Sequence, residues 1–295
     1  MSGPVLFEKA ALIGIGLIGG SLARNLRHHG MAREIVACAR NEETRSRALE
    51  LGLCDSATAD PAEAVRDADI VIICTPISTY AAIGEIICPV MKPGSILTDV
   101  GSVKTKVVDS LLPNMQEGVH LVPGHPIAGT EHSGPDASFL ELFQDRWAIV
   151  TPLEGSEPDA VTKIEEMWRR SGSMVERMTP GHHDQVLAIT SHLPHLIAYC
   201  IVGTATDLGS DLQQEVIRYS ASGFRDFTRI AASDPVMWRD IFLNNREAVM
   251  EVLGRFNEDL TALQRAIRRR DGDALEDLFT RTRAVRRSII DARQA

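Results

Sequence analysis

Ala10-Ala11-Leu12-Ile13-Gly14-Ile15-Gly16-Leu17-Ile18-Gly19-Gly20-Ser21 is the stretch whose reading decides the fold. An apolar run enters a Gly-x-Gly-x-x-Gly turn. A helical pattern from Ser21 to His29 and a second apolar run from Glu34 to Ala39 follow. Buried strand, tight turn, helix opening near Gly19 and second strand are the order of a dinucleotide-binding unit. Gly14 permits the turn, Gly16 lets the backbone approach a pyrophosphate, and Gly19 allows close helix–strand packing. Leu17 and Ile18 then lie at the helix start, whose amides face the phosphate charge. A purely structural glycine turn explains the glycines but not their place in this order.

Where such folds commonly carry an acidic residue for the ribose hydroxyls, this chain has Ala39-Arg40-Asn41. No carboxylate repels a 2′-phosphate there. Arg40 either attracts one, or stacks on adenine or points into solvent. Asp69 to Cys74 reads as a further buried strand, ending at Thr75 and Pro76, both candidate cofactor contacts. Ser95 to Val100 reads as the next strand and leads to Gly101-Ser102-Val103-Lys104, where Ser102 is placed to cap a helix. Val119 to Pro123 precedes Gly124-His125-Pro126-Ile127-Ala128-Gly129-Thr130-Glu131. The density of Gly and Pro reads as a loop at the end of a sheet, holding a histidine, the residue type that can titrate near neutral pH. Strands around Trp147–Thr151 and Ser173–Glu176, flanking a helix from Pro158 to Arg170, are expected to extend the same sheet.

From about Met178 the pattern is helical. Pro194, within Ser191-His192-Leu193-Pro194-His195, is expected to bend an apolar helix running from Asp184 to Thr206. His192 and His195 share a face at a spacing of three, as a hydrogen-bonded pair or as part of a site. Small residues from Ser220 to Gly223 precede Phe224-Arg225-Asp226-Phe227-Thr228-Arg229. One long helix is expected from Pro235 to about Arg270, with Val249, Val252, Phe256, Leu260, Leu263 and Ile267 as its apolar stripe. Gly272 suits its C-cap, and Asp273 starts the last helix.

A net charge of −9 and a pI near 5.5 argue against nucleic acid or an anionic membrane as the main partner. The five cysteines are scattered without a Cys-x-x-Cys pair, which suggests buried thiols in a reducing cytoplasm rather than a disulfide framework or a zinc site. No signal peptide is expected, nor any segment long enough to span a bilayer.

The glycine turn, Asp99-x-Gly101-Ser102-Val103-Lys104, Gly124-His125-Pro126-Ile127-Ala128-Gly129-Thr130-Glu131, Ser191-His192-Leu193-Pro194-His195 and Phe224-Arg225-Asp226-Phe227-Thr228-Arg229, in that order, strongly resemble the prephenate/arogenate (cyclohexadienyl) dehydrogenases of tyrosine biosynthesis. The resemblance implies an α/β Rossmann-type dinucleotide-binding domain (1–178), then an all-α substrate and dimerisation domain (179–295). It also implies a cytoplasmic homodimer that uses NAD or NADP and no metal. His125 would be the catalytic histidine at the substrate's ring hydroxyl, and Ser102 would help hold that hydroxyl and the nicotinamide. Arg229 would bind a substrate carboxylate and His195 would position the ring. Glu131 and Asp226 would gate the pocket, and Trp238 would come from near the dimer contact. Ala39 replaces the aspartate of many NAD-using relatives. A β-hydroxyacid dehydrogenase is the alternative enzyme, although such enzymes rely on a lysine in the helical half and none lies beyond Lys163. A non-catalytic dinucleotide sensor would leave His125, His195 and Arg229 without roles.

Overall fold

The computed structural model describes residues 3–207, 218–219 and 221–291, so Ser220 lies outside the described residues. Six parallel strands, β1 (Phe7–Ile13), β2 (Ala32–Cys38), β3 (Ser56–Thr58), β4 (Ile70–Ile73), β5 (Ile96–Asp99) and β6 (His120–Leu121), form one sheet in the order β3-β2-β1-β4-β5-β6. Ile70 to Ile73 are all buried, as continuous apolar strands are when helices cover both faces. One face carries α1 (Leu17–His28) and α6 (Pro158–Arg170), with Trp168 in its core; α2 (Glu42–Glu50) lies at the β3 edge. The other face carries α3 (Pro61–Val65), α4 (Tyr80–Ile87) and α5 (Lys104–Leu111). Strand order reverses between β1 and β4, which opens the crevice where such sheets bind nucleotides.

Two expectations change beyond β6. The strands at β8 (Trp147–Val150) and β9 (Met174–Arg177) do not extend the main sheet; they join β7 (Gly124–Pro126) in a separate three-stranded sheet. Pro123 has no N–H to continue the first ladder, and the chain starts a new one at Gly124. His125 is therefore not on a loop. It sits mid-strand, paired antiparallel with Ile149, and Pro126 is tolerated because β7 is an edge strand.

The helical half begins with α7 (Pro180–Leu187), a π turn over Ala188–His192, and α8 (Leu193–Thr206). Pro194 does not bend this run where expected. It falls in the first turn of α8, and the irregularity is the wider π turn just before it. Pro180–Thr206 thus forms 27 continuous helical residues, long and apolar enough by length and composition to cross a bilayer, where the sequence reading expects no such segment. Its first turns are tied to the nucleotide-binding half by His183 and Asp184.

Next come α9 (Ser222–Thr228), α10 (Pro235–Asn244), α11 (Arg246–Arg269) and α12 (Gly272–Asp291). The expected single helix from Pro235 breaks at Asn245, whose side chain is engaged elsewhere. The residue in left-handed conformation after α11 is Arg270, at φ 56°, and Gly272 opens α12 instead of capping α11. Met1–Arg246 forms one compact unit and Glu247–Ala295 a second. Within the first, Trp238 and Ile241 of α10 share a core with α4 and α5. In the second, Leu260 and Ile267 of the α11 stripe are 52% and 65% exposed.

Candidate active site

The glycine turn has the shape a dinucleotide needs. Gly14 sits at φ 99°, and a Cβ added at Gly19 would lie 2.3 Å from the Gly14 carbonyl oxygen. A Cβ on Gly16 would meet no protein atom within 4 Å, so the backbone is open on that side. Gly16 heads α1 with no capping side chain and no acidic residue in the first turn. The amides there remain free for phosphate oxygens. Leu17 is buried and Ile18 half-buried at that helix start. Thr75, its hydroxyl 2.8 Å from that of Thr79, and Pro76 lie at the end of β4 beside the turn. At the end of β2, Arg40 is exposed, and Arg45 donates to the carbonyls of Ala39 and Arg40 at 2.8 and 2.7 Å. Arg45 is a second cation at the end of β2, beside Arg40, that the sequence reading missed.

Behind the turn, β5 and β7 are clamped by a buried ion pair. Asp99 ends β5 and Lys104 starts α5, with Nζ 2.6 Å from Oδ2 and both side chains fully buried. Lys104 Nζ also donates to the Gly124 carbonyl, and Gly124 N–H donates to Asp99 Oδ1 at 3.2 Å. Tyr80 and the Gly101 amide add donors to Asp99 Oδ2, at 3.3 and 2.7 Å. Burial pulls the Lys104 ammonium below its ordinary value, and Asp99 works against it.

The next residue, His125, is 9% exposed and lies 2.9 Å through Nδ1 from His183 Nε2. His183 Nδ1 lies 2.7 Å from Asp184 Oδ1. Asp184 in turn accepts the amides of Lys104 and Thr105 at 2.7 and 2.9 Å, and the Thr105 hydroxyl. Ser102 does not cap α5 as expected; Val103 is the cap position, and the Asp184 carboxylate, a stronger acceptor than a hydroxyl, takes the first amides. The Ser102 hydroxyl is left half-buried, with no protein partner among the described residues. Burial, then the charges of His183, Lys104 and His192, hold His125 well below the ordinary histidine range. Burial also lowers His183, against Asp184. Burial works to raise Asp184, but the hydrogen bonds from His183, Thr105 and Lys104 prevail and leave it below its ordinary value.

His192 and His195 have separate partners. Asn245 donates to His192 Nδ1 at 3.0 Å and to the Asp184 carbonyl at 2.9 Å, so His192 is a buried structural group. His195 donates from Nδ1 to the Ser191 carbonyl at 2.8 Å and stacks on Trp238 with ring centroids 3.6 Å apart. Arg229 starts a short 3₁₀ turn after α9 and lies 3.9 Å from Glu131, and its charge helps lower His195. Glu131, Arg229, His195 and Trp238 therefore gather at one place. Asp226 does not join them; it is exposed and makes no hydrogen bond or ion pair with the described residues.

Comparisons with known proteins point one way. Family models for the prephenate dehydrogenase nucleotide-binding domain and dimerization domain match residues 22–177 and 179–281. The cyclohexadienyl dehydrogenase of Zymomonas mobilis is 40% identical over 284 residues, covering 96% of this chain and 97% of that protein. Prephenate dehydrogenase from A. aeolicus, solved with hydroxyphenyl propionate and NAD+, matches with a TM-score of 0.89 at 34% identity, covering 96% of this chain and 98% of that one. Arogenate dehydrogenase from Synechocystis gives 0.80 at 29%, covering 94% and 98%.

Proposed function

The chain belongs to the prephenate dehydrogenase family, and from that premise we propose that it oxidatively decarboxylates prephenate or arogenate with NAD or NADP. The products are 4-hydroxyphenylpyruvate or tyrosine, in tyrosine biosynthesis. The observation that carries the proposal is His125, a buried imidazole kept neutral by its surroundings, on a strand of the smaller sheet that Gly124 ties to the carboxyl end of β5 in the dinucleotide-binding sheet. The hydroxyacid dehydrogenase alternative is not favoured, since no lysine lies beyond Lys163.

A nicotinamide dinucleotide bound along Gly14–Gly19 supplies the hydride acceptor. As hydride leaves the substrate's carbinol carbon, the C–OH becomes carbonyl-like and its proton more acidic. His125 shares or takes that proton. The bond to the ring carboxylate then breaks and carbon dioxide departs. The electron pair of that bond aromatises the ring, and the oxygen recovers a proton as a phenol. No proton is consumed overall, so His125 only lends its site. A histidine held well below its ordinary range suits that task, because it returns the proton readily. Arg229 grips a substrate carboxylate, His195 stacked on Trp238 walls the ring, and Ser102 offers its unpartnered hydroxyl. Glu131 gates access to that cation, a reading supported by its 3.9 Å approach to Arg229. Asp226 shares the gating role only if it approaches from its exposed position.

The domain boundary falls at 178/179, a division supported by where the two family models meet. The homodimer forms through the helical half, whose apolar stripe includes the exposed Leu260 and Ile267. The cytoplasm suits the cysteines, which are all free.

Steady-state kinetics of the parent with both substrates and both cofactors, beside His125→Asn and Arg229→Ala, test the assignment. His125→Asn should lower kcat by about 10²–10⁴-fold with nucleotide affinity intact. Arg229→Ala should mainly raise KM, since its carboxylate is present in ground and transition states alike. A folded His125→Asn enzyme with parental turnover sinks the proposal.

A further inference from the structure

The hydrogen bonds behind His125 specify which of its nitrogens carries the hydrogen. Asp184 accepts two backbone amides and a hydroxyl as well as His183, so it is an ionised carboxylate with only lone pairs to offer. His183 Nδ1, facing it at 2.7 Å, must bear a hydrogen. In a neutral imidazole the other nitrogen is then bare. That bare Nε2 lies 2.9 Å from His125 Nδ1, which must therefore donate. The hydrogen of His125 is thus assigned to Nδ1, and its Nε2 is a free lone pair with no partner among the described residues.

We infer that His183 and Asp184 are positioning residues that hold His125 in the one tautomer able to accept the substrate's hydroxyl proton, a role that rests on the function proposed above. When Nε2 takes the proton, the positive charge spreads through the Nδ1 hydrogen toward His183, where Asp184 neutralises it. The other groups facing the imidazole do not compete. Lys104 is matched by Asp99, and Asn245 occupies the Nδ1 of His192.

Asp184→Asn removes the carboxylate that fixes the direction of the chain. Its amide either keeps an oxygen toward His183 Nδ1 and loses the Thr105 amide, or turns its N–H₂ there and loses the Lys104 amide, so the His183 hydrogen is no longer pinned to Nδ1 and that of His125 is free to move to Nε2. The expected result is a kcat lowered by about 10²–10⁴-fold, with substrate KM and nucleotide affinity unchanged. His183→Gln keeps an acceptor toward His125 and a donor toward Asp184, whereas His183→Leu keeps neither. Glutamine should therefore retain a clearly larger share of kcat than leucine at matched thermal stability. The ring nitrogens of ¹⁵N-histidine-labelled parent protein, free of substrate, should show His125 protonated at Nδ1 and bare at Nε2. If Asp184→Asn fails to fold because α5 loses its cap, the His183 pair and the labelled parent still decide. A hydrogen on His125 Nε2 in the parent, or equal losses for glutamine and leucine, overturns the inference. A parent that turns over neither substrate removes the proposed function instead, and leaves the tautomer measurement standing.

Discussion

Lys104→Met isolates the clamp from which the strand bearing His125 hangs. Lys104 and Asp99 are both fully buried with 2.6 Å between their charged atoms, and between them they hold the N–H and C=O of Gly124. Removing one member of a buried ion pair costs about 3–5 kcal/mol, because the other charge is left in the interior without compensation. Methionine is close to lysine in shape, so little of that cost comes from an empty cavity. Total stabilities are only about 5–15 kcal/mol, so the change is large. At roughly 2–4 °C per kcal/mol for a chain of this size, the melting temperature should fall by about 6–20 °C. Turnover should fall too, since Gly124 adjoins His125. Adding Asp99→Leu to Lys104→Met should recover part of the loss, as apolar replacements of buried pairs often do. The recovery is incomplete because the amides of Gly101 and Gly124 lose their acceptor, at about 1–3 kcal/mol each. Calorimetry of both single variants and the double variant measures the coupling. A Lys104→Met protein melting within about 2 °C of the parent refutes the clamp.

Gly19→Ala gains about 1 kcal/mol of helix propensity, but the new methyl would sit 2.3 Å from the Gly14 carbonyl. The collision should dominate, destabilising by about 1–3 kcal/mol and weakening nucleotide binding, as fluorescence titration with reduced cofactor can show. Ala39→Asp places a carboxylate beside Arg40 and Arg45 and should raise the preference for NAD over NADP; an unchanged ratio of kcat/KM values means the ribose contact lies elsewhere. Burial lowers His192 from 6.5 to about 4 in the folded protein. The unfolded chain therefore binds a proton between pH 6.5 and 4 that the folded chain refuses, and stability is full above that window and lost as pH falls through it. The loss approaches about 3 kcal/mol, and urea midpoints measured across the window should fall less in His192→Gln than in the parent.

What was legible followed from local rules. The glycine turn could be read because strand, turn and helix are contiguous, and Ile70–Ile73 because a strand buried on both faces is continuously apolar. His125 stood out by its glycine and proline neighbours, yet those neighbours also suggested a loop. The strand it occupies exists only through pairing with Ile149. His183 and Asp184 left no local mark: their partners are His125, Lys104 and Thr105, tens of residues away, so no periodicity or spacing announces them. Ser102 was expected to cap α5 because a local hydroxyl is the usual candidate. A carboxylate from another helix displaced it. Lys104 was in plain view within its motif, but lysines are seldom fully buried unless paired, and its partner's burial appears only in three dimensions.

The three-link chain from Asp184 to His125 also limits how this protein can be recombined. His125 comes from the part of the chain before residue 178, and the two groups that orient it come from after it. Exchanging the helical half for one without this histidine and aspartate would keep every glycine of the nucleotide turn and still deliver an imidazole with nothing to hold its hydrogen in place. A viable chimera therefore has to keep His125, Thr105, His183 and Asp184 matched across this seam, whether one parent or both supply them.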